Sequence, residues 1–96
     1  MMLMRNMRPT LFPTGQLVCT PRVMEEICPY EVAEAFDRHR QGDWGIVCEH
    51  DKLENDVSLE ENLRLKSGYF DSNGKMFWIV TAPNRSATTI LLPEEY

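Results

Sequence analysis

The sequence predicts one small α+β domain over residues 11–96: a three-stranded antiparallel meander at the C-terminal end, a fourth strand from near the N-terminus, and two to four short helices packed on the sheet. Three observations carry this expectation. Between Leu65 and Leu92 apolar residues alternate with a period of two and are interrupted by turn residues. From Pro29 to Arg40 they recur at helical spacing, and Gln16 to Thr20 is a short apolar run closed by Pro21. A chain of 96 residues holds one core but not two. Its 43% hydrophobic and 26% charged residues are the composition of a folded domain rather than a disordered chain.

Residues 1–10 read as a flexible extension, in which Met1, Met2, Met4 and Met7 alternate with Arg5 and Arg8 but lack the long apolar stretch of a secretory signal. Pro13-Thr14-Gly15 leads into the Gln16–Thr20 strand, whose partner is expected at an edge of the C-terminal sheet. Arg22 to Ile27 makes one or two helical turns with Val23, Met24 and Ile27 inward. Pro29 opens a second helix at its first turn, where a missing N–H does no harm. Val32, Ala33 and Phe36 mark its inner face, Glu31 and Glu34 suit its N-terminal half, Arg38, His39 and Arg40 suit its end, and Gly42 stops it.

In Gly42-Asp43-Trp44-Gly45 two glycines bracket an indole. Either Trp44 fills a gap between helices and sheet while Asp43 accepts turn N–H groups, or Asp43 and Trp44 line a ligand cleft. From Glu49 to Asn62, Leu53, Val57, Leu59 and Leu63 are spaced for an amphipathic helix. Ser58 with Glu61 has the form of a capping box, which favours two shorter helices broken near Asp56. Leu65–Phe70 is then the first strand of the meander, and Asp71-Ser72-Asn73-Gly74 a hairpin turn with Gly74 at positive φ. Met76–Thr81 is the central strand, with Trp78 and Val80 on one face and Phe77 and Ile79 on the other. Pro83-Asn84-Arg85-Ser86 forms the next link, and Ala87–Leu92 is the last strand.

Charge and cysteine usage narrow the function classes. A formal charge of −5 opposes a binder of phosphate backbones, which needs a basic face, so nucleic acid is a disfavoured partner. Cys19, Cys28 and Cys48 are odd in number and contain no CxxC pair, which suits free thiols in a reducing cytosol. Cys28, His39, Cys48 and His50 fall at no common zinc spacing, so no metal is expected. No cofactor-binding string is present. No apolar run approaches the roughly 18 residues that cross a bilayer, so no membrane partner is expected.

Several strings together carry a resemblance. They are Leu11-Phe12-Pro13-Thr14-Gly15-Gln16, His39-Arg40 ahead of Gly42-Asp43-Trp44-Gly45, Asn55, Ser67 with Tyr69, Trp78, and Arg85-Ser86 followed by Thr88-Thr89-Ile90-Leu91-Leu92-Pro93-Glu94-Glu95-Tyr96. Over nearly the whole chain from Leu11 they resemble a family of small bacterial, plasmid and phage proteins. The resemblance implies an accessory or modulator factor of mobile elements and no particular reaction. Asn62-Leu63 stands where the family pattern has glycines. The restriction-subunit label that some members carry would need a far larger nucleotide-binding domain.

Two functional readings follow. In the first, the protein acts without catalysis, through a surface to which Glu49, Asp51, Glu54, Asp56, Glu60 and Glu61 contribute, and its partner is a protein with a basic surface. In the second, the protein is a small metal-independent ribonuclease or nucleotide-binding enzyme, with an arrangement similar to that of barnase-like and RelE-like ribonucleases. His39 is then the acid or base, Arg85 the phosphate clamp, and Tyr69, Ser67 or Thr88 the hydrogen-bonding floor. The first reading asks less of the residues. The second requires His39, Arg85 and a strand hydroxyl to converge in an open cleft.

Overall fold

A computed structural model describes residues 10–96; all but Thr10 of the expected extension lies outside the described residues. The elements run β1 (Gln16–Cys19), α1 (Pro21–Glu26), α2 (Pro29–Arg40), α3 (Glu49–Glu61), β2 (Leu65–Phe70), β3 (Met76–Thr81) and β4 (Ala87–Leu91), followed by a 3-10 turn at Pro93–Glu95. They form a small α+β fold around one four-stranded sheet of order β1-β4-β3-β2. The meander is antiparallel, with Gly68 opposite Trp78 and Ile79 opposite Ile90. The fourth strand joins the β4 edge in parallel, pairing Gln16 with Ala87 and Cys19 with Ile90. Three helices and the β2–β3 hairpin separate β1 from β4, and a connection of that length permits the parallel arrangement. No helix among the described residues is long and apolar enough to cross a membrane.

Local chemistry sets the turns. Asp71 accepts the N–H groups of Asn73 and Lys75 at 2.9 and 2.7 Å, and Gly74 takes the φ of 83° that closes the hairpin. Thr20 accepts the Val23 N–H at the start of α1, where Pro21 occupies the first helical position. Arg38, His39 and Arg40 do lie in the last turn of α2. Three helical expectations need correction. Met24 and Ala33 point outward, and α2 instead buries Ala35 and His39. The segment from Glu49 to Glu61 is one continuous helix without a break at Asp56. Finally, Leu53, Val57 and Leu63 are exposed rather than inward.

The helices α1 and α2 cover one face of the sheet. There Phe77, Ile79, Ile90, Leu92 and Tyr69 pack with Val23, Ile27 and Ala35 in the main apolar cluster. Phe12, Trp44 and Leu65 make a second cluster, joined by the half-buried Val47 and Leu59. On the opposite face Trp78 and Val80 are half-buried, with Tyr96 set edge-on against Trp78 at 5.0 Å between ring centroids and the Lys66 ammonium 4.1 Å from the indole centroid.

The outer edge of β2 is occupied by its own chain. Asn55 of α3 donates to the Lys66 carbonyl at 2.7 Å and accepts the Lys66 N–H at 3.1 Å. Two residues on, Gly68 donates to the Trp44 carbonyl and accepts from the Ile46 N–H. The approach at Gly45 is so close that a Cβ there would stand 2.0 Å from the Gly68 carbonyl oxygen, which only glycine permits. Polar satisfaction of this edge therefore positions α3, and it removes a strand edge that could template association.

Truncation should separate the two faces. Phe77→Ala, which empties a fully buried site, is expected to cost about 3–5 kcal/mol in urea unfolding. Trp78→Ala, on the half-open face, is expected to cost clearly less. Equal losses would show that the two faces are covered alike.

Candidate functional site

His39, Ser67, Thr81 and Thr88 have no solvent exposure. Their side chains form one hydrogen-bonded chain. Ser67 Oγ lies 2.6 Å from His39 Nδ1, and His39 Nε2 lies 2.9 Å from Thr81 Oγ1. Thr81 Oγ1 is 2.7 Å from Thr88 Oγ1, and the Thr88 hydroxyl donates to the Thr14 carbonyl at 2.8 Å. The carbonyl can only accept, so Thr88 spends its proton there. Thr81 must then donate to Thr88, His39 Nε2–H must donate to Thr81, and Nδ1 accepts from Ser67. One proton order satisfies every atom, and it requires a neutral imidazole with its hydrogen on Nε2.

The surroundings favour that state. The Phe12 and Trp44 rings meet the imidazole edge-on at 5.4 and 5.6 Å. Burial lowers the His39 pKa from 6.5 to about 3. Among the described residues no buried side-chain nitrogen or oxygen lacks a partner.

The residues singled out from the sequence are thus divided. His39 is joined to Ser67 directly and to Thr88 through Thr81, a member that sequence reasoning missed. Tyr69 adjoins Ser67, but its hydroxyl donates to the Asp43 carbonyl at 2.7 Å, the Arg38 guanidinium lies 4.9 Å from its ring centroid, and burial raises its phenol pKa. Arg85 does not enter the chain. Its guanidinium donates to the carbonyls of Leu63 at 2.5 Å and Ser58 at 2.7 Å, and so ties the C-terminal end of α3 to the β3–β4 link. It meets the Phe12 ring at 5.7 Å, on which the imidazole also packs. Acid–base chemistry needs atoms that a substrate can reach. Here the imidazole and its hydroxyls are enclosed and saturated, and the arginine is spent on backbone carbonyls.

Asp43 pairs with Arg38 at 2.7 Å, which lowers its carboxyl pKa, and it also accepts the Gly45 N–H at 3.3 Å. Trp44 is buried, stacked near Phe12 at 6.2 Å. Among the described residues no three metal-ligating side chains gather, and Cys28 and Cys48 are exposed free thiols.

An accessible concave surface lies elsewhere. A groove of about 700 Å³ runs along α3, lined by His50, Leu53, Glu54, Val57 and Ser58 on the helix and by Leu63 and Arg64 beyond it. Leu53 is 63% exposed, Val57 54% and Leu63 51%. All six carboxylates singled out from the sequence lie on this helix, and five of them are exposed, with Asp51 half-buried. Against Lys52 they give α3 a formal charge of −5, equal to that of the entire chain. The helix turns polar Asn55 and Ser58 inward and apolar Leu53 and Val57 outward. Asn55 and Ser58, three apart and fit to bond backbone groups, were the available signal for this inversion. No family model matches the chain, and neither does any curated protein or solved structure.

The buried chain makes two measurable statements. In the folded protein the nitrogen chemical shifts of His39 should report a protonated Nε2 and a bare Nδ1 at neutral pH. The second concerns acid. The unfolded chain binds the imidazole proton near 6.5, and the folded chain only near pH 3. Between those values the unfolded state holds more protons, so stability falls as pH is lowered through the window, by up to about 1.4 kcal/mol per pH unit. His39→Gln should be less stable at neutral pH yet lack this part of the slope. Parallel slopes for the two proteins in urea titrations would remove His39 as the cause.

Proposed function

We propose that this protein is a macromolecular interaction module without catalysis of its own, an accessory or modulator factor whose docking surface is the outward face of α3. The observation that carries the reading is the apolar row of Leu53 and Val57, exposed within the most acidic element of the chain and continued by the exposed Leu63 just past its end. Exposed apolar surface that borders a groove and is rimmed by charge marks interaction sites. The row is not needed to hold α3, which is fixed through Asn55, the Ser58 and Leu63 carbonyls and the half-buried Leu59. The flanking Glu49, Glu54, Asp56, Glu60 and Glu61 suit a partner with a basic surface, for which charge speeds encounter more than it tightens the complex. Free thiols at Cys19, Cys28 and Cys48 suit a reducing cytosol as the place of action.

The test is capture of a partner from extracts of the native host. The pair Leu53→Ser and Val57→Ser should shift unfolding free energy by no more than about 0.5 kcal/mol each, as exposed substitutions do, and should abolish capture. Reversal of Glu54, Glu60 and Glu61 to lysine should slow association and reduce its dependence on salt. Capture that survives both sets of substitutions would refute the assignment to α3.

A further inference from the structure

We infer that the segment received by α3 is a basic amphipathic helix of another protein, an inference that rests on the interaction reading above. The spacing of the groove residues is the first argument. His50, Leu53, Glu54 and Val57 stand at i, i+3, i+4 and i+7, the stripe by which one helix packs against another, with the buried Ser58 one position further on. Leu63 and Arg64, beyond the helix, complete a trough along α3 rather than an isolated pit. A helix laid in it would seat apolar anchors repeating at three and four residues against Leu53, Val57 and Leu63.

Charge selects among possible helices. Two copies of α3 face to face would bring together two helices of formal charge −5 with apolar contact only from the exposed row. Like charges at such distances oppose that pairing, and an anionic membrane or nucleic acid meets the same repulsion. Lysine and arginine on the flanks of an incoming helix would face Glu49, Asp56, Glu60 and Glu61, while their aliphatic stems lie over the apolar row. Within the groove His50 is held 3.1 Å from Glu54, and the one permanent cation of the lining, Arg64, stands beyond the end of the helix.

The experiment uses the full chain and three synthetic peptides of about 18 residues, long enough to span α3. One has leucines at helical spacing flanked by lysine and arginine. The second has the same residues scrambled so that no apolar face forms. The third keeps the spacing with glutamate in place of the cations. The first should bind at least about tenfold tighter than either other, weaken severalfold between about 50 and 300 mM salt, and move the amide resonances of α3, Leu63 and Arg64. Leu53→Ser with Val57→Ser should remove the preference.

Equal binding of the scrambled peptide would overturn the helical occupant, and equal binding of the acidic peptide would overturn the basic one. Self-association abolished by the same two substitutions would assign the groove to a second copy instead. Should host capture depend on Leu53 and Val57 while the peptides are not discriminated, the inference falls and the interaction reading stands. If host capture ignores those residues, both fall.

Discussion

The chain from Ser67 through His39, Thr81 and Thr88 to the Thr14 carbonyl is the constraint on which the rest of the structure depends. It joins the lead-in to β1, the end of α2 and three strands, segments separated by up to 74 residues. On each strand it lies at the limit of the main apolar cluster. Ser67 falls between Leu65 and Tyr69, Thr81 follows Ile79, and Thr88 precedes Ile90. A polar seam therefore divides the two apolar clusters. Each neutral hydrogen bond contributes only about 1 kcal/mol net, but a member left unsatisfied costs about 1–3 kcal/mol. The seam thus acts chiefly by penalising alternatives. Slipping β3 or β4 by one residue would turn a threonine to the other face of the sheet and leave the imidazole without its partner.

The consequences reach α3 through Phe12. Its ring packs on the imidazole on one side and receives the Arg85 guanidinium on another. Arg85 itself adopts a left-handed φ of 60°, a conformation that costs a non-glycine residue about 1 kcal/mol or more. Its charge-assisted bonds to the Ser58 and Leu63 carbonyls offset that strain. With Asn55 bonded to both backbone groups of Lys66, these contacts position the helix by polar groups at defined points rather than by a buried apolar stripe. This explains how α3 can direct its leucine and valine outward and still be held.

Much of the fold is legible before any coordinates. Period-two alternation and the Asp71–Gly74 turn identify the meander, and Pro21 and Pro29 mark helix starts, because these signals are local. The parallel pairing of β1 is not local, since it depends on where three helices return the chain. The site residues show the same division. His39, Ser67 and Thr88 are recognisable as polar residues that belong together, yet their role turns on burial, which residue type alone does not report. For α3 the periodicity itself misleads: leucines at helical spacing imply an inward face, and the requirement of the β2 edge for a side chain with both donor and acceptor places Asn55 there instead.

Fold and surface are consequently separable in this molecule. The residues that specify the interior are enclosed and mutually dependent, so their substitutions couple strongly. The exposed Leu53 and Val57 of the α3 groove, by contrast, belong to neither apolar cluster, so their substitutions are expected to change stability little. Concentrating the net charge of the chain on that helix keeps its field local. At physiological ionic strength charges are screened beyond about 8 Å, less than the length of the helix, so the acids act on what approaches α3 and hardly at all across the domain. An apolar row inside such a field is shielded from like molecules by repulsion and open to those of opposite charge. On the interaction reading proposed above, the same acids would both limit self-association through the exposed leucine and valine and select a partner of opposite charge.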